Sequence, residues 1–215
     1  MINSEKLKAI LIDYKKDFVS QWGDEKYKWE AVKHFQEYWD LNASDFSNMF
    51  WQATEKTHTL LASVNNFPRR TIKGFAEADA EAVRAMFIDL FDETKYFEER
   101  VEKFQSDAEA LRVKYDDGTW KQHYQNPNSI STYLWLRYPD KYYIYKYSEY
   151  RAVAKELDSD FIPKKGASSA NPDCDFQMSG NKISVKTLDL NIAFPLIAAQ
   201  LDRIASSYFG DTKGN

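Results

Sequence analysis

The stretch YLWLRYPDKYYIYKYSEY, residues 133–150, holds seven of the chain's fourteen tyrosines and one of its six tryptophans, with Arg137, Lys141 and Lys146 set between the rings. Rings and cations at this spacing suit a nucleic acid. Bases stack on aromatic side chains, each worth about 1–3 kcal/mol, while Lys and Arg hold the phosphates. A tyrosine serves a packed core equally well, because its ring is apolar and its hydroxyl can find a partner. Leu134, Trp135, Leu136 and Ile144 are therefore assigned to a core, and Arg137, Lys141, Tyr142, Tyr145 and Lys146 to a surface. Two other segments add to that surface. FPRR contributes Arg69 and Arg70 at a helix start, where backbone N–H groups attract anions, and WKQHYQNPN contributes Lys121 and Tyr124. Lys164 and Lys165 complete the expected set.

Other chemistry has little support. The chain has no phosphate-binding glycine loop and no nucleophile elbow. His34, His58 and His123 lack metal-ligand spacing, and nothing in the sequence calls for a cofactor or a metal. PDCDFQMSGNKISVKT places Asp173 before a hairpin and Lys186 after it, in the order of a PD-(D/E)-x-K nuclease. There Ser184 stands where a second acid is needed to hold a divalent metal. The acids Glu98, Glu99, Glu102 and Glu109 read as a solvated helix face with pairs such as Glu99 and Lys103.

Composition narrows the class. A formal net charge of −4 over 215 residues argues against a surface coated evenly with cations. Residues 79–117 hold twelve acids and six bases, whereas 130–165 hold seven bases and five acids, so a polyanion is expected to meet the second segment. Cys174 is the single cysteine, which excludes an internal disulfide. With no apolar run of about 18 residues and no secretory leader, a cytoplasmic location is expected.

The elements that would position these residues are mainly helical, and the expected class is mainly α with a small β contribution (α+β). Leu7, Ile10, Leu11, Tyr14, Phe18 and Trp22 fall at helical spacing, with Gly23 as the expected stop. A second helix runs through Tyr27, Val32, Phe35 and either Trp39 or Tyr38, and Ser44 is the expected cap of the next. Pro68 suits a first helical turn. Asp79 caps a helix whose Val83, Met86, Phe87, Leu90 and Phe91 form one stripe. A long helix follows over 94–115, with Phe97, Val101, Phe104, Ala108 and Leu111 inward.

Alternation around 133–146 predicts a small β element turned at Pro139-Asp140. A short helix ending at Tyr138 is the other reading, because a residue before proline avoids the α region. Ser148 is the expected cap of a further helix. Residues 1–162 are expected to form one helical domain, 163–172 a linker or loop, and 173–215 a hairpin plus helix, either a separate element or part of the same domain.

YKWEAVKHFQEYWDLNASDF, NNFPRRTIKGFA, VRAMFIDLFDE and above all ISTYLWLRYPDKYYIYKYSEY resemble the N-terminal region that precedes the AAA+ ATPase module in McrB-like proteins. Those are the motor subunits of modification-dependent restriction systems. The resemblance covers residues 24–165. It implies a non-catalytic targeting module that recognises DNA, including methylated or otherwise modified DNA, and works with an AAA+ motor module and a partner nuclease subunit. The alternative is a protein-interaction or oligomerisation module that docks the motor or a partner subunit. A degenerate nuclease is the least favoured reading.

Overall fold

A computed structural model describes residues 3–63 and 65–159, with the side chains at 17–21, 24 and 25 excepted. The described chain is mainly helical: α1 (Ser4–Tyr38), α2 (Phe46–Ala53), a 3-10 turn (Glu55–Leu60), α3 (Pro68–Ala78), α4 (Ala80–Phe91), α5 (Phe97–Tyr115), α6 (Pro127–Arg137) and α7 (Tyr147–Glu156). None of these helices is long and apolar enough to cross a membrane. The hairpin and last helix expected over 173–215, with Asp173, Ser184 and Lys186, lie outside the described residues, as do Lys164 and Lys165.

Backbone contacts divide the chain into two units, Lys26–Tyr145 and a second made of Met1–Glu25 with Lys146–Asn215. The Lys26–Tyr145 unit has an aromatic core. Trp39 stacks on Phe35 at 4.7 Å and takes the edges of Phe46, Phe87 and Phe91 at 5.8, 5.0 and 5.7 Å. Phe87 in turn meets Phe104 at 5.2 Å and Tyr133 at 5.3 Å. Edge-to-face contacts of this kind add about 0.5–1.5 kcal/mol each beyond the area they bury. The stripe Val83, Met86, Phe87, Leu90 and Phe91 is buried, and Asp79 caps α4 by accepting from the Ala82 N–H at 3.2 Å. Arg84 clasps the loop between α1 and α2, donating to the carbonyls of Leu41 and Ala43.

In the other unit, α7 buries Ala154. The Asn3 N–H donates to the Leu157 carbonyl at 2.8 Å, and Lys6 pairs with Asp158 at 2.9 Å.

Three local expectations are corrected. The β element around 133–146 is absent: α6 runs to Arg137, and no residue from 138 to 146 is in a strand. Pro139 ends the helix as the sequence rule requires, and every residue from Ser129 to Leu136 is buried, the signature of a helix apolar on all sides. Helix α1 also continues through Gly23. Glycine weakens a helix by about 1 kcal/mol but, unlike proline, keeps its N–H and tolerates helical dihedrals. Finally, two caps sit elsewhere. Asp45, not Ser44, caps α2 by accepting from the Asn48 N–H at 3.0 Å, and Lys146 precedes α7 with no side-chain cap, leaving Ser148 inside the helix.

A Cβ on Gly23 would meet nothing within 4 Å. Gly23→Ala should therefore stabilise the protein by about 0.5–1 kcal/mol in denaturant titrations, through the helix term alone.

Candidate nucleic-acid interface

The most fully determined surface of the Lys26–Tyr145 unit is where the 116–126 segment lies along α3. Asp116 and Asp117 start that segment, Asp116 accepting from the N–H groups of Gly118 and Trp120 at 2.8 and 3.1 Å. Gly118 occupies φ +89, which the turn needs and other residues resist. The Trp120 ring then stacks on Phe75 at 5.3 Å and presses onto the bare backbone of Gly74, where a Cβ would stand 2.7 Å from the indole. Further on, Thr71 Oγ1 donates to the His123 carbonyl at 3.1 Å, and the Gln125 amide donates to the Pro68 carbonyl at 3.1 Å. Tyr124 meets the edge of Phe67 at 5.6 Å.

This contact joins two parts of the sequence that carry no acidic residue. Residues 56–76 contain Lys56, Arg69, Arg70 and Lys73, residues 118–139 contain Lys121 and Arg137, and neither contains Asp or Glu, in a chain where acids outnumber bases 33 to 29. Arg70 and Lys121 are exposed and have no ion-pair partner among the described residues. Arg70 sits one turn before Gly74 on the same side of α3, and Lys121 directly follows the Trp120 that packs there. Lys56 is also exposed and unpaired among the described residues. Sequence reasoning missed it, although the acid-free run around it was a readable signal. Of the acids that flank the two stretches, Glu77 pairs with Lys73 at 2.5 Å, Asp116 pairs with Arg112 at 3.2 Å, and Glu55 faces His34 at 3.8 Å.

Arg69 does a different job. Its guanidinium lies 3.4 Å from the Trp51 ring centroid, Nη2 donates to the Trp51 carbonyl at 2.6 Å, and Nε donates to Thr54 Oγ1 at 2.8 Å. The fork that would grip a phosphate is spent on tying α2 to α3, and burial pulls the group below the usual arginine value.

The remaining expected residues lie apart from this surface. Arg137 is at the far end of α6, about 15 Å of helix from Pro127. It is exposed, with its guanidinium 5.2 Å over the Tyr138 ring. Lys141 is bound to Glu93 at 2.6 Å, which holds the lysine above and the carboxyl below their ordinary values. Tyr142 is not offered for stacking on a ligand. Its ring stacks on Phe97 at 6.1 Å, and its hydroxyl accepts from Arg100 Nη2 at 2.8 Å while donating to Glu93 at 3.2 Å.

Arg100 is itself 4% exposed and donates through Nη1 to the Leu90 carbonyl at 2.8 Å, so Tyr142 completes a buried charge site. Tyr145 anchors its loop by backbone bonds to Ser131 Oγ and Asn128 Nδ2 at 2.9 and 2.8 Å. In the other unit, Lys146 pairs with Glu149 at 2.9 Å.

Two substitutions test this division. Gly74→Ala should cost about 1–3 kcal/mol in urea unfolding, because the indole must leave its seat. Tyr142→Phe should cost about 1–3 kcal/mol by stranding a buried guanidinium donor. If Tyr142→Phe leaves the unfolding midpoint unchanged, the hydroxyl has no such role.

Comparison with known protein families, with curated proteins and with solved structures finds no match to this chain.

Proposed function

We propose that the Lys26–Tyr145 unit recognises DNA and catalyses nothing itself. One observation supports this above the others: the fold packs the two acid-free, cation-bearing stretches against each other in an otherwise acidic chain, with Arg70 and Lys121 exposed and unpaired among the described residues. A polyanion needs such a local surplus, whatever the net charge of the whole. Arg70, Lys121 and Lys56 hold phosphates, and Tyr124 beside Phe67 offers the aromatic surface. The sequence resemblance supports the larger setting, a specificity module of a McrB-like restriction machine that includes modified bases among its targets and acts with an AAA+ motor and a nuclease subunit.

The test is a binding titration of unmodified, 5-methylcytosine, hydroxymethylcytosine and 6-methyladenine duplexes over a range of salt. Affinity should fall steeply between about 50 and 200 mM salt, each phosphate contact contributing a log–log slope of about −0.9. Arg70→Ala and Lys121→Ala should each flatten that slope by about one, whereas Lys141→Ala, already paired with Glu93, should leave it nearly unchanged. Absence of affinity for every duplex at about 50 mM salt overturns the reading.

A further inference from the structure

His123 lies between Lys121 and Tyr124, and its ring is half-buried. Its Nδ1 accepts a hydrogen bond from the Gln125 N–H at 2.9 Å. An imidazole nitrogen that accepts carries no proton, so the neutral ring holds its hydrogen on Nε2. The next residue, Tyr124, has φ +58, the left-handed region that a bulky side chain seldom enters. Such a conformation persists where surrounding bonds over-determine it, and residues held this way concentrate at ligand-binding and switch sites.

The bonds that hold Tyr124 are specific. Its carbonyl accepts from the Asn126 N–H at 3.1 Å and from Ser129 Oγ at 3.3 Å. On one side the His123 carbonyl is held by Thr71, and on the other the Gln125 N–H is held by the His123 ring. The imidazole thus closes a loop around the strained residue.

Protonation would put the ring's second hydrogen on the bare Nδ1, facing the Gln125 N–H. Two donors would then oppose each other, and the bond is lost. The charged groups acting on the ring are Glu109 and Arg112 of α5, which are bound to each other at 2.7 Å and act on the ring in opposite senses. From α3, Thr71 meets the His123 carbonyl, and from α6, Ser129 meets the Tyr124 carbonyl; both side chains are uncharged. Lys121 of its own segment is exposed. Burial dominates and sets the ring below the usual histidine value, with Glu109 opposing and Arg112 adding to it.

We propose that His123 is a pH-sensitive latch: neutral, it locks the 120–126 segment in the shape that presents Lys121 and Tyr124 beside α3, and protonated, it releases that shape. Its consequence for binding rests on the nucleic-acid reading above. The latch itself belongs to the free protein. The sign follows from linkage. The unfolded chain takes up the proton at about 6.5, before the folded one does, so the latch's stabilisation is complete above that value and is lost as pH falls through the folded value.

The experiment is an NMR titration of the full chain without DNA, following the His123 ring nitrogens and the exchange of the Gln125 amide. The latch requires the Nε2–H tautomer at neutral pH and a midpoint below the ordinary histidine value. It also requires that Gln125 protection, corrected for intrinsic exchange, be lost over the same interval. His123→Asn, whose amide oxygen keeps an acceptor without titrating, should abolish that pH dependence. Ordinary titration of His123 with Gln125 unaffected overturns the latch, and so does unchanged pH dependence in His123→Asn. Duplex titrations on both proteins separate the two ideas: a latch seen by NMR with no DNA affinity at any pH sinks the recognition reading and leaves the latch standing.

Discussion

One buried amide holds the proposed interface together. Gln125 is fully buried, and its Nε2 donates toward the Pro68 carbonyl, Thr71 Oγ1 and the His123 carbonyl at 3.1, 3.0 and 3.0 Å. Its Oε1 accepts from the Tyr133 hydroxyl at 3.2 Å, and its main-chain carbonyl accepts from Gln105 Nε2 at 3.0 Å. Burial pushes the Tyr133 phenol above its usual range, so it stays a neutral donor. Through this residue α3, α5, α6 and the 116–126 segment share one fixed point. A buried polar group is favourable only when its partners are all present. Removing any partner therefore disturbs the others, and the acid-free face keeps its form as a unit.

A second buried polar site governs the opposite end of α6 in a different way. Arg100 carries its charge inside, over the faces of Phe97 and Tyr142 at 5.7 Å each, and reaches Glu93 only through the Tyr142 hydroxyl. Its Nε has no hydrogen-bond partner among the described residues. This arrangement commits the tyrosine and the neighbouring Lys141 to contacts within the protein. Two unspent cations, Arg70 and Lys121, lie on α3 and the segment packed along it.

Much of the fold was legible in the sequence, because local physics fixed it. Pro68 and Asp79 mark helix starts, Pro139 marks an end, and the stripes of α4 and α5 are buried apart from the half-exposed Phe97. The assignment of Leu134, Trp135 and Leu136 to a core also holds, at 0%, 5% and 0% exposure, whereas Ile144, assigned with them, is only half-buried. The alternation through 133–146 misled because a helix buried on every side has no periodic polar face to announce it. The site was less legible. Whether an arginine such as Arg69 grips a ligand or a neighbouring tryptophan is decided by residues eighteen positions away, and nothing local in FPRR encodes that. The two acid-free stretches can be read from the sequence, but only their packing makes them a face.

The seat of Trp120 on Gly74 carries a consequence of its own. A helix that leaves one position bare to receive an indole has given up a side chain at the middle of its outward surface. No charge can be placed there by substitution without evicting the ring, so the electrostatic character of this patch has to come from the margins. Arg70, one turn earlier, and Lys121, directly after the indole, occupy those margins. The patch is thus an aromatic floor with a cationic border, and the geometry of the floor decides where the border can stand.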